Sequence, residues 1–281
     1  MAPRVVIVAI GGPTCGGKTT LAKHIARILP SSLSLFQVRS LPLLHPTLDT
    51  FADLALLPVV RGQDDFAPPS ELVPIDPVHG WQDWDDAAGA IRWDKQREAL
   101  KCLRETGTFP AAHSSHDLLN AQHLAPVPIS EGVVEEWRRR FEELIEREEE
   151  KPIFVIADGF LLLVDPESVR QFDVRLFVRE DYATLKRRRE ERHGYHTAEG
   201  SLWKDPPNYW DLCVWPAYLR AHAPLFVNND VEHGQPNPDA IEGVQVFEAN
   251  EMGMEKMVVG ACEELWRYVK EGRTAEGWRK P

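Results

Sequence analysis

The segment GGPTCGGKTT, residues 11–20, has the residue types and spacing of a phosphate-binding loop, and it follows the apolar run VVIVAI. Gly12, four further residues and then Gly17, Lys18 and Thr19 match the pattern G-x-x-x-x-G-K-[ST]. In this pattern successive backbone N–H groups point at phosphate oxygens, the lysine reaches the β- and γ-phosphates, and the hydroxyl binds Mg²⁺. The segment therefore predicts a nucleotide site; the alternative is an ordinary glycine-rich turn between a strand and a helix.

Carboxylates follow two other segments that are predicted to be strands. QDDF places Asp64 and Asp65 where the second strand is expected to end, and IADGF places Asp158 at the end of the central strand. The carboxyl ends of parallel strands meet at one edge of a sheet, so these side chains would face the phosphate loop. There a carboxylate can bind Mg²⁺ or accept a proton from a substrate hydroxyl. The alternative is that these residues only cap turns.

A basic run and two aromatic residues complete the candidate site. In KRRREER, Arg188 and Arg192 would share one helix face at i,i+4, and Arg189 and Arg192 at i,i+3. Such arginines could clamp a phosphoryl group, or they could be surface residues paired with the neighbouring glutamates. Trp84 and Tyr195 each lie beside polar residues and could stack on a substrate ring, although single aromatic residues often belong to the core.

The elements that must position these residues alternate between strands and helices, which predicts a parallel sheet. Strands are predicted at RVVIVAI, SLSLF, PIFVIADGFLLLV, FDVRLFVR and GVQVFEA. Helices are predicted at 18–29, 85–105, 132–150, in DYATLKRRREER with Asp181 as N-cap, and at 253–271. The fold class is therefore α/β: a P-loop NTPase with a parallel β-sheet core flanked by helices. We expect a single domain over 1–281, with a flap at 193–211 and an atypical insertion at 39–62.

Composition excludes several classes of function. The net charge of -12 argues against a nucleic-acid binder. The four cysteines are scattered without metal spacing, which favours a reducing compartment, and Cys15 is expected to be a small filler of the loop rather than a nucleophile. The N-terminal apolar segment is too short for a signal peptide, and no apolar run has membrane-spanning length. We therefore expect a soluble protein of the cytoplasm, with the nucleus as a further location, and make no prediction of its oligomeric state.

Six segments together resemble the nicotinamide riboside kinases, most of all the fungal members, within the wider uridine-kinase-like family of nucleoside kinases. They are GGPTCGGKTTLAKHI, QDDFAPP, QDWD, DGFLL, LKRRREERHGY and WKDPPNYWDLCVWPAYLRAHAPLFVNNDVEHG. The resemblance covers nearly the whole chain apart from 39–62, and its last block is far more specific than the phosphate loop. It implies ATP- and Mg²⁺-dependent phosphorylation of the ribose 5′-hydroxyl of nicotinamide riboside, and also of nicotinic acid riboside.

The resemblance also implies roles for individual residues. Asp64, the first aspartate of the DD pair, would accept the proton and touch Mg²⁺. Trp84 and Tyr195 would hold the ring, and Asp85 the ribose hydroxyls. Some members carry Glu where this chain has Asp158, so the contact of this shorter acid with Mg²⁺ would pass through water. The predicted ATP contacts are Gly12, Thr14, Cys15, Gly16, Gly17, Lys18, Thr19, Thr20, Arg188 and Arg192. The predicted substrate contacts are Asp64, Asp65, Phe66, Trp84, Asp85, Arg189 and Tyr195; the metal ligands are Thr19, Asp64 and Asp158; the catalytic residues are Asp64, Lys18 and Arg188.

Two other functions are compatible with a phosphate loop. One is a uridine or cytidine kinase, and the other is a nucleotide-switch protein without a small substrate. A GTPase would need the base-reading motif N-K-x-D, which the sequence does not contain, but the residues do not decide between ATP and GTP. The insertion 39–62 is either a genuine surface loop or a gene-model artefact; in the first case LPVVRG can supply the end of the strand before Asp64.

Overall fold

The structure is a computed structural model that describes residues 3–30, 59–110, 113, 127–192, 194–196 and 202–271. Its strands are β1 (Val5–Gly11), β2 (Val59–Gly62), β3 (Ile153–Asp158), β4 (Val174–Arg179), β5 (Tyr195–His196), β6 (Leu202–Trp203) and β7 (Val244–Glu248). Its helices are α1 (Lys18–Ile28), α2 (Trp93–Thr106), α3 (Glu131–Ile145), α4 (Pro166–Val169), α5 (Tyr182–Glu190), α6 (Trp215–His222) and α7 (Ala249–Lys270). Short 3₁₀ turns include Gln63–Phe66, and a π-helical turn, Trp210–Val214, leads into α6.

Five strands form one parallel sheet in the order β2-β3-β1-β4-β7. All seven residues of the central strand β1 are buried. Its Val and Ile side chains suit a strand that is covered on both faces. The predicted α/β fold with a parallel sheet is therefore confirmed. The short strands β5 and β6 pair antiparallel in a separate hairpin.

Alternation along β1 divides the core into two layers. Val8 and Ile10 pack on one face of the sheet together with apolar residues of α1, α3 and α7. Ile7 and Ala9 pack on the other face, with residues of α2 and α6. This two-residue period is what a strand imposes on its side chains, and it fixes how the loop after β1 leaves the sheet. Within the described residues, no helix combines the length and hydropathy that a membrane crossing needs.

The helix α5 confirms one predicted cap and corrects one predicted face. Asp181 accepts a hydrogen bond from the backbone N–H of Thr184 at 2.9 Å, as an N-cap residue does. The helix ends at Glu190, however, so Arg192 lies beyond it. The prediction that Arg188 and Arg192 share a face of this helix was therefore wrong.

The predicted bounds of α2 were also wrong, and α6 was missed. α2 begins at Trp93 rather than at 85, because aspartate side chains hold the preceding residues in turns. Asp83 accepts hydrogen bonds from the backbone N–H of Asp85 and Asp86, at 3.1 and 3.0 Å. Such local bonds offer the backbone an alternative to a helix. α6 was not predicted, since its eight residues are few and begin with Trp-Pro.

The strand that leads to Asp64 lies inside the segment that the sequence marks as an insertion. Val59–Gly62 form β2 and pair with β3, with Gly62 opposite Asp158. Residues 39–58 lie outside the described residues, and so does SLSLF, the predicted beginning of the second strand. The end of LPVVRG thus supplies the edge strand of the sheet.

Gly12 provides a test of the bend after β1. It has a φ of 128°, and a Cβ atom there would lie 2.1 Å from the carbonyl oxygen of Val178. We expect Gly12→Ala to lower the free energy of unfolding by about 3 kcal/mol, from backbone strain and steric overlap together. Urea unfolding measures the loss.

Gly132 is the matched control for this substitution. It lies exposed in α3, where a Cβ atom would meet nothing within 4 Å. Gly132→Ala should raise the stability slightly, because alanine favours a helix. A Gly12→Ala protein as stable as the wild type would contradict the strained geometry of the loop.

Candidate active site

The phosphate loop curls around its own lysine. The Nζ of Lys18 donates a hydrogen bond to the carbonyl oxygen of Pro13 at 2.6 Å, and the N–H of Gly16 bonds to the same oxygen at 3.2 Å. Gly17, the N-cap of α1, provides no side-chain cap, and the first turn of the helix has no acidic residue. The positive end of α1 is therefore left available to an anion. Burial lowers the pKa of Lys18, against the attraction of Asp158 and Asp64.

A hydroxyl and two carboxylates lie beside this lysine. The Oγ1 of Thr19 donates a hydrogen bond to Oδ2 of Asp158 at 2.5 Å. Burial raises the pKa of Asp158 to about 6, although the bond from Thr19 and the charge of Lys18 oppose the rise. Asp64 is accessible to solvent, yet the protein atoms crowded around it raise its pKa too, against Lys18 and Arg192.

This arrangement fits a magnesium ion. Oxygen ligands from a hydroxyl and carboxylates are those that Mg²⁺ prefers, and a cation would relieve the desolvation that raises the pKa of both carboxyls. Among the described residues, no three His, Cys, Asp or Glu side chains cluster as a ready metal site. Thr19, Asp64 and Asp158 would therefore hold the ion together with water and phosphate oxygens, as Mg²⁺ sites commonly do.

A buried chain of amide groups fixes the turn that carries Asp64. The Oε1 of Gln63 accepts from the N–H of Leu161 at 2.9 Å, and its Nε2 donates to Gln96 at 2.9 Å. Gly159 makes room for this side chain, because a Cβ atom there would lie 2.4 Å from Cβ of Gln63. The turn is thus locked to the end of β3, which sets the direction of Asp64.

The two residues after Asp64 point into the protein. The carboxylate of Asp65 is buried and lies 3.4 Å from Nε2 of His113. Phe66 is buried in an apolar cluster with Ile91 and Leu161. Both were predicted to contact substrate; in the structure their side chains are buried beside the turn that carries Asp64.

The arginines of the basic run reach different partners. Arg188 donates to the carbonyl oxygen of Cys15 at 3.1 Å and pairs with Glu180 at 3.2 Å. Arg187, at the surface, pairs with Glu191. The alternative of surface ion pairs therefore describes Arg187, whereas Arg188 lies against the phosphate loop.

Arg189 joins three segments of the chain. This buried guanidinium makes two hydrogen bonds to the carboxylate of Asp205, at 2.6 and 2.9 Å, and one to Oγ1 of Thr14 at 3.2 Å. It also lies 3.8 Å from Oδ2 of Asp85. Bidentate pairing with a carboxylate holds the plane of a guanidinium in place. Arg189 therefore links the phosphate loop to the loop of Asp85 and to the segment after β6.

Local hydrogen bonds shape the loop that carries Asp85. The hydroxyl of Tyr209 donates to the carbonyl of Gln82 and accepts from the N–H of Trp84, both at 3.1 Å. Cys213 donates to Oδ1 of Asp83 at 3.0 Å. Burial raises the pKa of Asp85 to about 6, and Arg189 opposes that rise.

The predicted pair of ring-binding aromatics is arranged differently from the expectation. The guanidinium groups of Arg189 and Arg192 lie over the ring of Tyr195, 4.2 and 3.8 Å from its centroid. Its hydroxyl lies 3.1 Å from Oγ1 of Thr14. Trp84 instead lies beside Trp203, with ring centroids 6.0 Å apart and planes tilted by 57°. The structure thus brings Tyr195 to the arginines and gives Trp84 a different aromatic neighbour.

Sequence reasoning assigned no role to four residues that the structure brings to this site. They are Trp203, Asp205, Tyr209 and Trp210. All four lie in WKDPPNYWD, a segment quoted above only as part of a resemblance. The signal was the density of aromatic and acidic residues in the second half of the predicted flap, 193–211.

The loop between β1 and α1, opening on the acidic ends of neighbouring parallel strands, defines a phosphate-loop nucleotide-binding protein. The chain is 35% identical over 237 residues to nicotinamide riboside kinase of Eremothecium gossypii, with 84% of each chain covered. It is 30% identical over 231 residues to nicotinamide riboside kinase of Schizosaccharomyces pombe, covering 82% of this chain and 85% of that one. The protein of the same name from Saccharomyces cerevisiae is 29% identical over 269 residues, covering 95% and 98%.

The chain therefore belongs to the nicotinamide riboside kinase family. No protein-family model matches it. Among solved structures, an unliganded sugar kinase from Janibacter sp. HTCC2649 is 13% identical, covers 96% of this chain and 99% of that chain, and has a TM-score of 0.45. A likeness this distant carries no argument about the site. The family membership confirms the resemblance read from the sequence motifs.

The raised pKa of Asp158 predicts a pH-dependent cost to stability. Its folded pKa of about 6 exceeds the ordinary aspartate value of 3.8, so the folded state binds more protons between these values. Stability should therefore fall as pH rises through that window, and the full cost is present above it. Asp158→Asn should raise the free energy of unfolding at pH 8 by about 2 kcal/mol, and by less near pH 4. Urea unfolding with a chelator present measures both.

Asp165→Asn is the control with the opposite sign. Hydrogen bonds from Arg97 and Ser168 hold the pKa of Asp165 below its usual value despite its burial, so its replacement should lower stability at pH 8. An Asp158→Asn protein that is less stable than the wild type at pH 8 would contradict the desolvation of this carboxyl.

Proposed function

We propose that the chain transfers the γ-phosphoryl group of ATP to the ribose 5′-hydroxyl of nicotinamide riboside, giving the mononucleotide, and that it also accepts nicotinic acid riboside. The observation that carries this proposal is the assembly of Lys18, Asp158 and Asp64 at the carboxyl edge of the sheet in a chain of this family. Nucleoside and ATP are its small-molecule partners. The reaction belongs to the making of NAD from its nucleoside precursors.

The phosphate loop is proposed to bind the ATP phosphates. Lys18 already lies inside the loop, where its Nζ could exchange the carbonyl of Pro13 for phosphate oxygens. Thr19, Asp158 and Asp64 would hold Mg²⁺, which would neutralise negative charge on the phosphates. Arg188, bonded to the carbonyl of Cys15, would stand beside the same phosphates.

Asp64 is proposed as the acceptor of the 5′-hydroxyl proton. It is accessible, whereas Asp65 is buried against His113. A carboxyl whose pKa is raised towards the working pH is a stronger base than an ordinary one. The charges of Lys18 and Arg192 oppose the rise that desolvation causes in the pKa of Asp64. Asp65 and Phe66 then act by positioning the turn.

Arg189 and Arg192 are proposed to act on the transferring phosphoryl group through the position of Tyr195. Both guanidinium groups lie over the ring of Tyr195, and the Tyr195 hydroxyl lies within hydrogen-bond distance of Thr14 in the phosphate loop. The end of α5, held by Tyr195 of the hairpin, therefore brings positive charge to the loop. Covering the loop in this way would exclude water, which otherwise hydrolyses ATP.

Trp84 and Trp203 are proposed to bind the pyridinium ring. The two indoles are neighbours with their planes tilted by 57°, and Nε1 of Trp203 donates to Asp205, which fixes its plane. Nicotinamide riboside carries a positive charge on its ring nitrogen, which aromatic faces attract. The carboxylates of Asp83 and Asp85 add a negative field beside Trp84. The neutral base of uridine would gain neither contribution.

The proposed base can be tested with nucleosides and ATP, with the product identified by mass. Wild-type protein should phosphorylate nicotinamide riboside, and Asp64→Asn should lower kcat by about 10²- to 10⁴-fold, the usual contribution of a general base. Nucleotide binding should remain, because the phosphate loop is intact. Asp65→Asn is the matched control and should lower kcat much less. If Asp65→Asn lowered kcat more than Asp64→Asn, the base would be Asp65.

The two candidate ring partners can be separated by substrate preference. Trp203→Leu should lower kcat/KM for nicotinamide riboside by roughly 2- to 30-fold more than for uridine, since it removes an aromatic face from a cation. Tyr195→Leu should lower both by similar factors, because it acts through the arginines. Where uridine is not turned over, its inhibition constant replaces kcat/KM. If Tyr195→Leu alone lowered kcat/KM selectively for nicotinamide riboside, Tyr195 would be the ring partner.

A further inference from the structure

A small cavity lies directly beside the phosphate loop. Its volume is about 10 Å³, which is room for about one water-sized group. Thr14 of the phosphate loop forms one wall, Asp85 and Phe160 form others, and the π-helical turn and α6 close it with Trp210 and His222. The cavity therefore adjoins both the place proposed for phosphates and the carboxylate proposed for the ribose.

Three of these lining residues have a buried polar atom without a hydrogen-bond partner among the described residues. The atoms are Oδ2 of Asp85, Nε1 of Trp210 and Nε2 of His222. The three residues are only 6%, 4% and 1% exposed. A buried polar group without a partner costs free energy, and native structures rarely leave one so. Three such atoms around one cavity therefore indicate that the cavity binds a polar group.

The chemistry of the three atoms defines that occupant. The indole N–H of Trp210 can only donate, and the carboxylate of Asp85 accepts. Nδ1 of His222 lies 2.8 Å from the carbonyl oxygen of Tyr218, which can only accept, so Nδ1 carries the hydrogen and Nε2 is an acceptor. Burial lowers the pKa of His222 to about 4, so the ring is neutral at physiological pH.

The occupant must accept one hydrogen bond and donate others, and it must be small and uncharged. An anion would meet Asp85, whereas a cation would meet the N–H of Trp210 and the guanidinium of Arg189, which lies 3.8 Å from Asp85. A hydroxyl group fits, because its oxygen accepts from Trp210 while its hydrogen bonds to Asp85 or His222. Water has the same chemistry and fits the same volume.

We propose that Trp210 and His222 complete, with Asp85, a subsite for one ribose hydroxyl of the acceptor nucleoside, and that a single water occupies it when no nucleoside is bound. This inference rests on the proposed function, because it takes the acceptor to be a riboside. It adds Trp210 from the π-helical turn and His222 from α6, two elements that the sequence did not predict. It also explains why a buried tryptophan and a buried histidine keep unpaired nitrogens beside a phosphate loop.

The test is a cycle of protein and substrate changes that deletes each partner of one hydrogen bond. The proteins are the wild type and Trp210→Phe, which removes the N–H but keeps an aromatic ring. The substrates are nicotinamide riboside and its 2′-deoxy and 3′-deoxy analogues. With nicotinamide riboside, Trp210→Phe should lower kcat/KM about tenfold, which corresponds to about 1.4 kcal/mol. With the analogue that lacks the bound hydroxyl, Trp210→Phe should have nearly the same kcat/KM as the wild type, because the hydrogen bond is already absent.

Trp215→Phe is the matched control, since Trp215 lines the same cavity and its nitrogen is not among the unpartnered atoms. It should change kcat/KM for the three nucleosides by one common factor. His222→Gln, which offers an amide in place of the imidazole, should keep part of the discrimination between riboside and deoxyriboside. Thermal unfolding without ligand verifies that each variant is folded at the assay temperature.

An equal loss with all three nucleosides in Trp210→Phe, or no loss at all, would overturn the subsite while leaving the proposed function intact. A wild-type protein that phosphorylates a different riboside would instead contradict the proposed substrate. The same cycle, run with that riboside and its deoxy analogues, then decides the subsite independently.

Discussion

The parallel register of three strands is the constraint on which the rest of this site depends. Asp158, the last residue of β3, pairs with Ile10 of β1 on one side and with Gly62 of β2 on the other. The phosphate loop, the turn of Asp64 and the Asp158 carboxylate therefore leave the sheet at one level. Burial of β1 on both faces keeps that register, because a slip by one residue would exchange its two core layers. The positions of Lys18 and Thr19 follow from the same alignment.

Two buried charge pairs extend outward from this edge. Lys18 lies with Asp158, and Arg189 lies with Asp85, and burial raises the pKa of each carboxyl to about 6. The cations limit this effect but do not cancel it. These charged side chains would have a lower free energy in water, but the sheet and Asp205 hold them in place. This is common where the geometry for ligand binding is fixed in advance.

The sequence predicted those parts of the molecule in which short-range pattern decides the structure. The phosphate loop, the apolar strands around Ile7 and Ile156, and the cap at Asp181 each depend on a few neighbouring residues. The beginning of α2 was misjudged because side-chain bonds from Asp83 outweigh helix propensity. The position of Asp64 could be predicted, since it follows a strand whichever residues form it.

The remaining parts depend on contacts between residues that are distant in the chain, which no local pattern encodes. Trp84 meets Trp203 across more than a hundred residues. Tyr195 was predicted to hold a substrate ring, but its hydroxyl lies 3.1 Å from Oγ1 of Thr14, 181 positions away in the chain. The cavity beside Thr14 requires α6 to pack against the loop after β3. Family resemblance supplied the chemistry of this region, while the identity of its aromatic partners required the packed structure.

The arrangement around Arg189 has a thermodynamic consequence. One guanidinium donates hydrogen bonds to Thr14 of the phosphate loop and to Asp205 beside the hairpin, and it lies 3.8 Å from the carboxylate of Asp85. A molecule that draws Arg189 away from one of these partners alters its free energy of interaction with the others. Linkage requires such an effect to be mutual. If a ligand in the phosphate loop changes the affinity of a ligand at Asp85 by some factor, the ligand at Asp85 changes the affinity of the loop by the same factor. The stability of the complex with both ligands is therefore independent of the order in which they bind.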